Sequence, residues 1–199
     1  MVGVSKTAKQ RVPAAERRDA LIAAAIEEFA VGGLHGTPVD RIARRVGVAQ
    51  PYVFSLFATK RDLFIAAVER CFENVSNLFA AAASDFEAAN GDCAENEVLQ
   101  AIGAAYNELL DTDRTMLMLQ LQAYAACDDE LIREHVLAAY RKLSNRIQEM
   151  SGADADALHE FLSFGMYLSV QVAMGGIDDV EAFKAERQAT LQRRQQTDA

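Results

Sequence analysis

Proline is confined to the first quarter of the 199-residue chain: Pro13, Pro38 and Pro51 are the only three, and residues 52–199 contain none. The chain is also rich in alanine, with 36 residues. Proline blocks the interior of a helix and alanine favours it more than any other residue, so nothing after Pro51 forbids a continuous i to i−4 hydrogen-bond ladder. The chain is expected to be all-α. Hydrophobic residues make up 51% of it, enough for one domain with an extension or two small domains that share packing. No run of 18 apolar residues occurs and Met1–Arg18 lacks an apolar core segment, so neither a membrane span nor a secretory signal is expected. Cys71, Cys93 and Cys127 are far apart and odd in number, and no CxxC occurs. This excludes a disulfide framework and a zinc site, and suits a reduced, cytoplasmic protein.

Charge is divided unevenly. Residues 1–70 hold eleven lysines and arginines against seven acids, and residues 71–199 hold nine against twenty-two. A basic head on an acidic body suits a head that binds a polyanion while the body is held off it. The expected divisions are a flexible basic arm at 1–13 with Lys6, Lys9 and Arg11, a head at 14–70, and a body at 71–199.

Within the head, Leu21, Ile22, Ala25, Ile26 and Phe29 recur at helical spacing, with Arg17, Arg18, Glu27 and Glu28 largely off that stripe. Gly32-Gly33 is expected to end this helix. Thr37-Pro38-Val39-Asp40 reads as a capping box opening a short helix with Val39, Ile42, Ala43 and Val46 inward, ended by Gly47. Ala49-Gln50-Pro51 restarts the helix, with Val53, Phe54 and Phe57 expected inward and Gln50, Tyr52 and Ser55 outward. Thr59-Lys60-Arg61-Asp62 forms a second capping box and opens a helix carrying Leu63, Phe64, Ala67 and Val68. Two short helices across a glycine turn, braced by a longer one, make a helix-turn-helix at 38–57, whose second helix enters the DNA major groove. Gln50 and Tyr52 are the expected base readers, with Pro51 and Ser55 beside them. Thr37 and Lys60 sit at helix starts suited to phosphate, Arg44 and Arg45 lie near the backbone, and the arm adds counterion release or reaches the minor groove.

The stretch TPVDRIARRVGVAQPYVFSLFATKRDLF resembles the DNA-binding domain of the TetR/AcrR family of bacterial transcriptional regulators. The matching positions are Thr37, Ile42, Ala43, Val46, Gly47, Val48, Phe57, Lys60 and Leu63. Pro51 stands where the family usually has glycine, Phe54 where it has tyrosine, and Leu56 where it has tyrosine or histidine. Two hydrogen-bonding side chains common in the family are thereby missing, and Tyr52 is placed to replace them in part. The resemblance implies a homodimer joined by a four-helix bundle from the last two helices of each subunit. It also implies a small-molecule inducer in the body that changes the spacing of the two heads.

The body segments into helices near 60–88, 95–110, 113–126, 129–149, 155–174 and 179–195, giving about nine in the whole chain. One recognition helix reads too few bases for regulation, so two copies are expected on a palindromic operator. Leu158, Phe161, Leu162, Gly165, Leu168, Ser169 and Val172, with Val180 and Phe183 of the last helix, form the expected dimer face. Tyr106, Met116, Met118, Tyr124, Phe164, Met166 and Tyr167 suggest the wall of a site for an apolar or amphipathic effector. His35, His135 and His159 are isolated, and neither a nucleophile elbow nor a glycine-rich phosphate loop occurs. No enzyme activity, cofactor or metal is expected. A regulator, most simply a repressor, is the reading that results. A ligand-binding protein whose head no longer binds DNA and a head that docks a protein instead are the rivals.

Overall fold

A computed structural model describes residues 13–91 and 95–177. Among these residues the chain is entirely helical, with eight helices: α1 (Ala14–Gly36), α2 (Val39–Val46), α3 (Gln50–Leu56), α4 (Lys60–Asn90), α5 (Glu95–Thr112), α6 (Thr115–Ala125), α7 (Glu130–Ser151) and α8 (Ala155–Met174). The arm and the expected helix at 179–195, with Val180 and Phe183, lie outside the described residues.

The α1 stripe is buried as its spacing requires: Leu21, Ile22, Ala25, Ile26 and Phe29 are shielded from solvent. Phe29 meets Phe64 of α4 edge-on with ring centroids 5.0 Å apart, a geometry worth about 0.5–1.5 kcal/mol beyond the buried area. Ile42 and Ala43 of α2, Val53 of α3, and Phe57 close the same core. Gly33 leaves helical geometry, at φ 61° and ψ −174°, yet one more turn follows it to Gly36. The helix is therefore interrupted where the glycine pair predicts, not ended there. Gly47 ends α2 in the left-handed conformation, and the N–H groups of Gly47 and Val48 close onto the carbonyls of the last turn.

The Thr59–Asp62 capping box forms in both directions, at 3.1 and 2.9 Å. It launches α4, a single helix of 31 residues and about 46 Å. Leu63, Phe64, Ala67 and Val68 belong to the head core, while Phe72, Val75 and Phe79 lie in the body. Head and body thus share one rigid element. A second junction is made by α6, which packs along α1. Asp129 caps the start of α7 through the Ile132 N–H and also accepts from Arg61 of α4 at 3.1 Å. At the far end, Arg114 donates to the last carbonyls of α8, Val172 and Ala173, satisfying groups that a helix end leaves open.

Candidate DNA interface and body cavity

The second helix of the pair, α3, presents Gln50, Pro51, Tyr52 and Ser55 to solvent, as their spacing predicts. Val53 and Phe57 anchor its inner side. Phe54 does not join them: it is 41% exposed, and the expectation that it faces inward is wrong. A seven-residue helix has room for only one narrow buried stripe: Val53 fills it, and Phe57, the C-cap residue four positions on, closes the same side. Leu56 instead packs partly against the core.

The positioning residues are arranged differently from expectation. Thr37 is only 2% exposed and donates its hydroxyl to the Glu28 carbonyl at 3.1 Å. Its side chain is turned into the head and is not free for a phosphate. No capping box opens α2, whose N-cap is Pro38, and Asp40 pairs instead with Arg44 at 3.0 Å. Arg45 bridges to Glu27 and to Glu28, the latter at 2.9 Å, and Arg41 reaches Glu28 at 2.7 Å. Glu28 is 7% exposed, not off the stripe as its position suggests. Its burial is tolerable because two guanidiniums meet it. Arg41 and Arg45 therefore clamp α2 to α1, while the Arg44 pair stays within α2. Lys60 donates to the His35 carbonyl at 3.2 Å, tying the start of α4 to the end of α1. Partial burial holds its ammonium pKa below the ordinary lysine value. Arg18 lies over the Phe57 ring at 4.8 Å.

In the body, five helices line a half-open apolar cavity of about 70 Å³. Phe72, Val75 and Phe79 come from α4, and Tyr106 from α5. Gln120 and Tyr124 come from α6, and Tyr140, Leu143 and Ile147 from α7. The α8 wall is Phe161, Leu162, Gly165, Met166 and Ser169. Ser169 donates to the Gly165 carbonyl at 2.8 Å, so its oxygen is left to accept from the Tyr106 hydroxyl, also at 2.8 Å. Burial, first of all, raises the pKa values of Tyr106, Tyr124 and Tyr140, which keeps all three hydroxyls neutral.

Of the expected effector residues, Tyr106, Tyr124 and Met166 line this cavity. Met116 and Met118 pack against the main core, and Phe164 stacks on Tyr167 at 6.4 Å beside an outer surface depression. The contributions of α4 and α7 were missed in sequence, because an apolar stripe at helical spacing looks the same whether it meets another helix or a void. The expected dimer face also needs correction. Leu158, Leu168, Ser169 and Val172 are buried within the single chain, Leu168 and Val172 against Leu110 and Leu117. Phe161, Leu162 and Gly165 line the cavity. The apolar residues that α8 leaves exposed are Met166, Tyr167, Val170 and Met174. No cluster of metal-ligating side chains occurs among the described residues, and no helix there is long and apolar enough to cross a membrane.

A helix-turn-helix head joined through a shared long helix to a larger helical body is the architecture of a class of DNA-binding regulators. Residues 21–67 match the family described as "Bacterial regulatory proteins, tetR family". Residues 21–67 of the head are thus similar to TetR-family domains, and the fold is that of solved TetR-family proteins. That family is one of regulators and not of enzymes. The HTH-type transcriptional activator FasR of Mycolicibacterium smegmatis is 38% identical over 65 residues, 33% of this chain and 30% of FasR. The match therefore spans less than a third of that relative. Among solved structures, a TetR-family member from Streptomyces coelicolor A3 aligns with TM-score 0.68 and 24% identity, covering 88% of this chain and 98% of that one. The transcriptional regulator FadR from Bacillus subtilis, solved with stearoyl-CoA, gives TM-score 0.65 and 19% identity over 79% of this chain and 88% of FadR. The multidrug binding protein EbrR, solved with proflavin, gives 0.61 and 21% over 88% and 99%.

Proposed function

We propose that this chain is a sequence-specific DNA-binding transcriptional regulator that works as a homodimer on a palindromic operator and is released when an apolar or amphipathic small molecule enters the body. The observation that carries this reading is the head itself: a TetR-type helix-turn-helix whose α3 turns Gln50, Pro51, Tyr52 and Ser55 outward while Lys60 sits at the start of α4. The exposed stripe of α8, Met166, Tyr167, Val170 and Met174, is the surface offered to a second copy. Two neighbours in fold were solved with an acyl-CoA and with an aromatic cation, which supports an apolar or amphipathic ligand class.

The cavity of about 70 Å³ is well below the roughly 300–1,000 Å³ of drug-sized sites. A ligand would therefore bind by parting α8 from α4 and α7. Because α4 runs from the cavity wall into the head core, that displacement would tilt the head, and the two recognition helices of a dimer would no longer match successive major grooves. Such coupling between sites is worth about 1–3 kcal/mol in allosteric proteins. A ligand that favours the released dimer lowers operator occupancy and one that favours the DNA-matched dimer raises it. Whether occupancy represses or activates is set by where the operator lies in the promoter, and FasR is named an activator.

Selection of genomic fragments with the purified chain at two salt concentrations tests the reading. Recovery of one palindromic site, bound more weakly as salt rises, is the expected result. Recovery of no specific site would refute DNA regulation and favour a ligand-binding protein whose head has lost its target.

A further inference from the structure

On α3 the side opposite the Val53–Phe57 anchor belongs to Pro51 and Ser55, at 100° per residue, with Tyr52 and Phe54 on its two flanks. Hydrogen-bonding capacity on this surface is low. Proline has no N–H, and the Ser55 hydroxyl donates to the Tyr52 carbonyl at 2.6 Å. The remaining side-chain donors on α3 are the Gln50 amide and the Tyr52 hydroxyl. Phe54 stands 41% exposed beside them, one helical turn after Gln50 and on the same side. A phenyl ring turned to water on so short a helix gives up burial that would stabilise the head.

A phenyl ring has no use for phosphate oxygens, and the apolar feature that base edges show in the major groove is the thymine C5 methyl. We propose that Phe54 is a specificity-determining residue that reads a thymine methyl in each half-site, next to the base pair addressed by Gln50. This rests on the regulator reading of the head. It makes Phe54 a reader of sequence where a hydroxylated aromatic would hold the backbone.

The experiment takes the selected site and replaces its thymines one at a time with uracil, which removes the methyl alone. Wild type and Phe54→Ala are both titrated, with circular dichroism confirming that the exposed substitution leaves the fold intact. Wild type should lose about fourfold in affinity for one thymine per half-site, the value of one buried methyl-sized group. Phe54→Ala, which removes the contact in both half-sites of the dimer, should start about sixteenfold weaker and lose nothing more at that position, with an unchanged salt dependence. Phe54→Leu should keep part of the discrimination. A wild-type protein indifferent to uracil at every position overturns the proposal, as does a Phe54→Ala variant that weakens both DNAs equally. Failure to select any site overturns the regulator reading as well, so the two failures are distinguishable.

Discussion

Replacing Gly33 by alanine tests how the body is seated on the head. Gly33 has φ 61° and ψ −174°, a region open essentially to glycine alone, which costs other residues about 1–3 kcal/mol. The added Cβ would also fall against the Gln122 side chain of α6, onto its Oε1 and within 3.1 Å of its Cδ. Gln122 is a flexible side chain and can swing aside, so this second cost is an off-rotamer cost of about 0.5–1.5 kcal/mol. Together they give a loss of about 1.5–4.5 kcal/mol, a large share of the roughly 5–15 kcal/mol that holds a typical domain. Gly36→Ala is the matched control: it has no positive φ and its Cβ would meet nothing within 4 Å. It should be neutral or stabilising by up to about 1 kcal/mol. Urea unfolding followed by circular dichroism, at one fixed chain concentration, measures all three proteins. Adding Gln122→Ala to Gly33→Ala should return only the steric share. If Gly33→Ala unfolds within about 0.5 kcal/mol of wild type, or if Gln122→Ala restores it fully, the backbone explanation is refuted.

Two further outcomes follow from titratable groups. The Ile132 N–H and then Arg61 hold the Asp129 pKa below the ordinary aspartate value. A depressed folded pKa contributes stability that is present above the unfolded value and lost as pH falls through the folded one. Asp129→Asn keeps a capping oxygen but removes the charge, so its melting temperature should fall less steeply than that of wild type as pH drops from about 5 to about 2. Parallel curves would show that neither the Ile132 N–H nor Arg61 favours the charged form of Asp129 in the folded chain. Burial first, and the Asp113 charge second, push the Cys71 thiol up to about 12. Maleimide labelling with peptide mapping should modify Cys127, which is only partly covered, well before Cys71. Comparable rates would mean that the α4–α6 core opens freely.

The residues that fixed their own conformation were legible in the sequence. Thr59 with Asp62, Gly47, and the Leu21–Phe29 stripe each encode a local geometry with few alternatives, and each forms as its spacing indicates. Phe54 and Glu28 were misjudged because their sides are chosen by the neighbouring helix. Phe54 is displaced by Val53 and Phe57, and Glu28 is drawn inward by Arg41 and Arg45 of α2. Thr37 is a similar case: its hydroxyl has two competing carbonyl or amide partners, and the Glu28 carbonyl wins. The cavity was only half readable, since Tyr106 and Tyr124 stand out by composition while Phe72, Val75 and Leu143 look like any core residues. The α8 residues expected at a dimer face lie nearly half a turn, at 100° per residue, from those that α8 leaves exposed.

The arginine clamps of α2 have a consequence for how such a head meets DNA. Residues 13–70 carry eight cationic side chains and seven acidic ones, and Arg41, Arg44 and Arg45 already face carboxylates. The packed head is close to electrically balanced, and most of the surplus resides in Lys6, Lys9 and Arg11. On the proposed function, holding DNA of any sequence and choosing among sequences fall to different stretches of chain. Neutralising those three cations would weaken binding everywhere alike, by about three counterions' worth of salt dependence per subunit. The preference for one operator over its competitors would be left standing on α3.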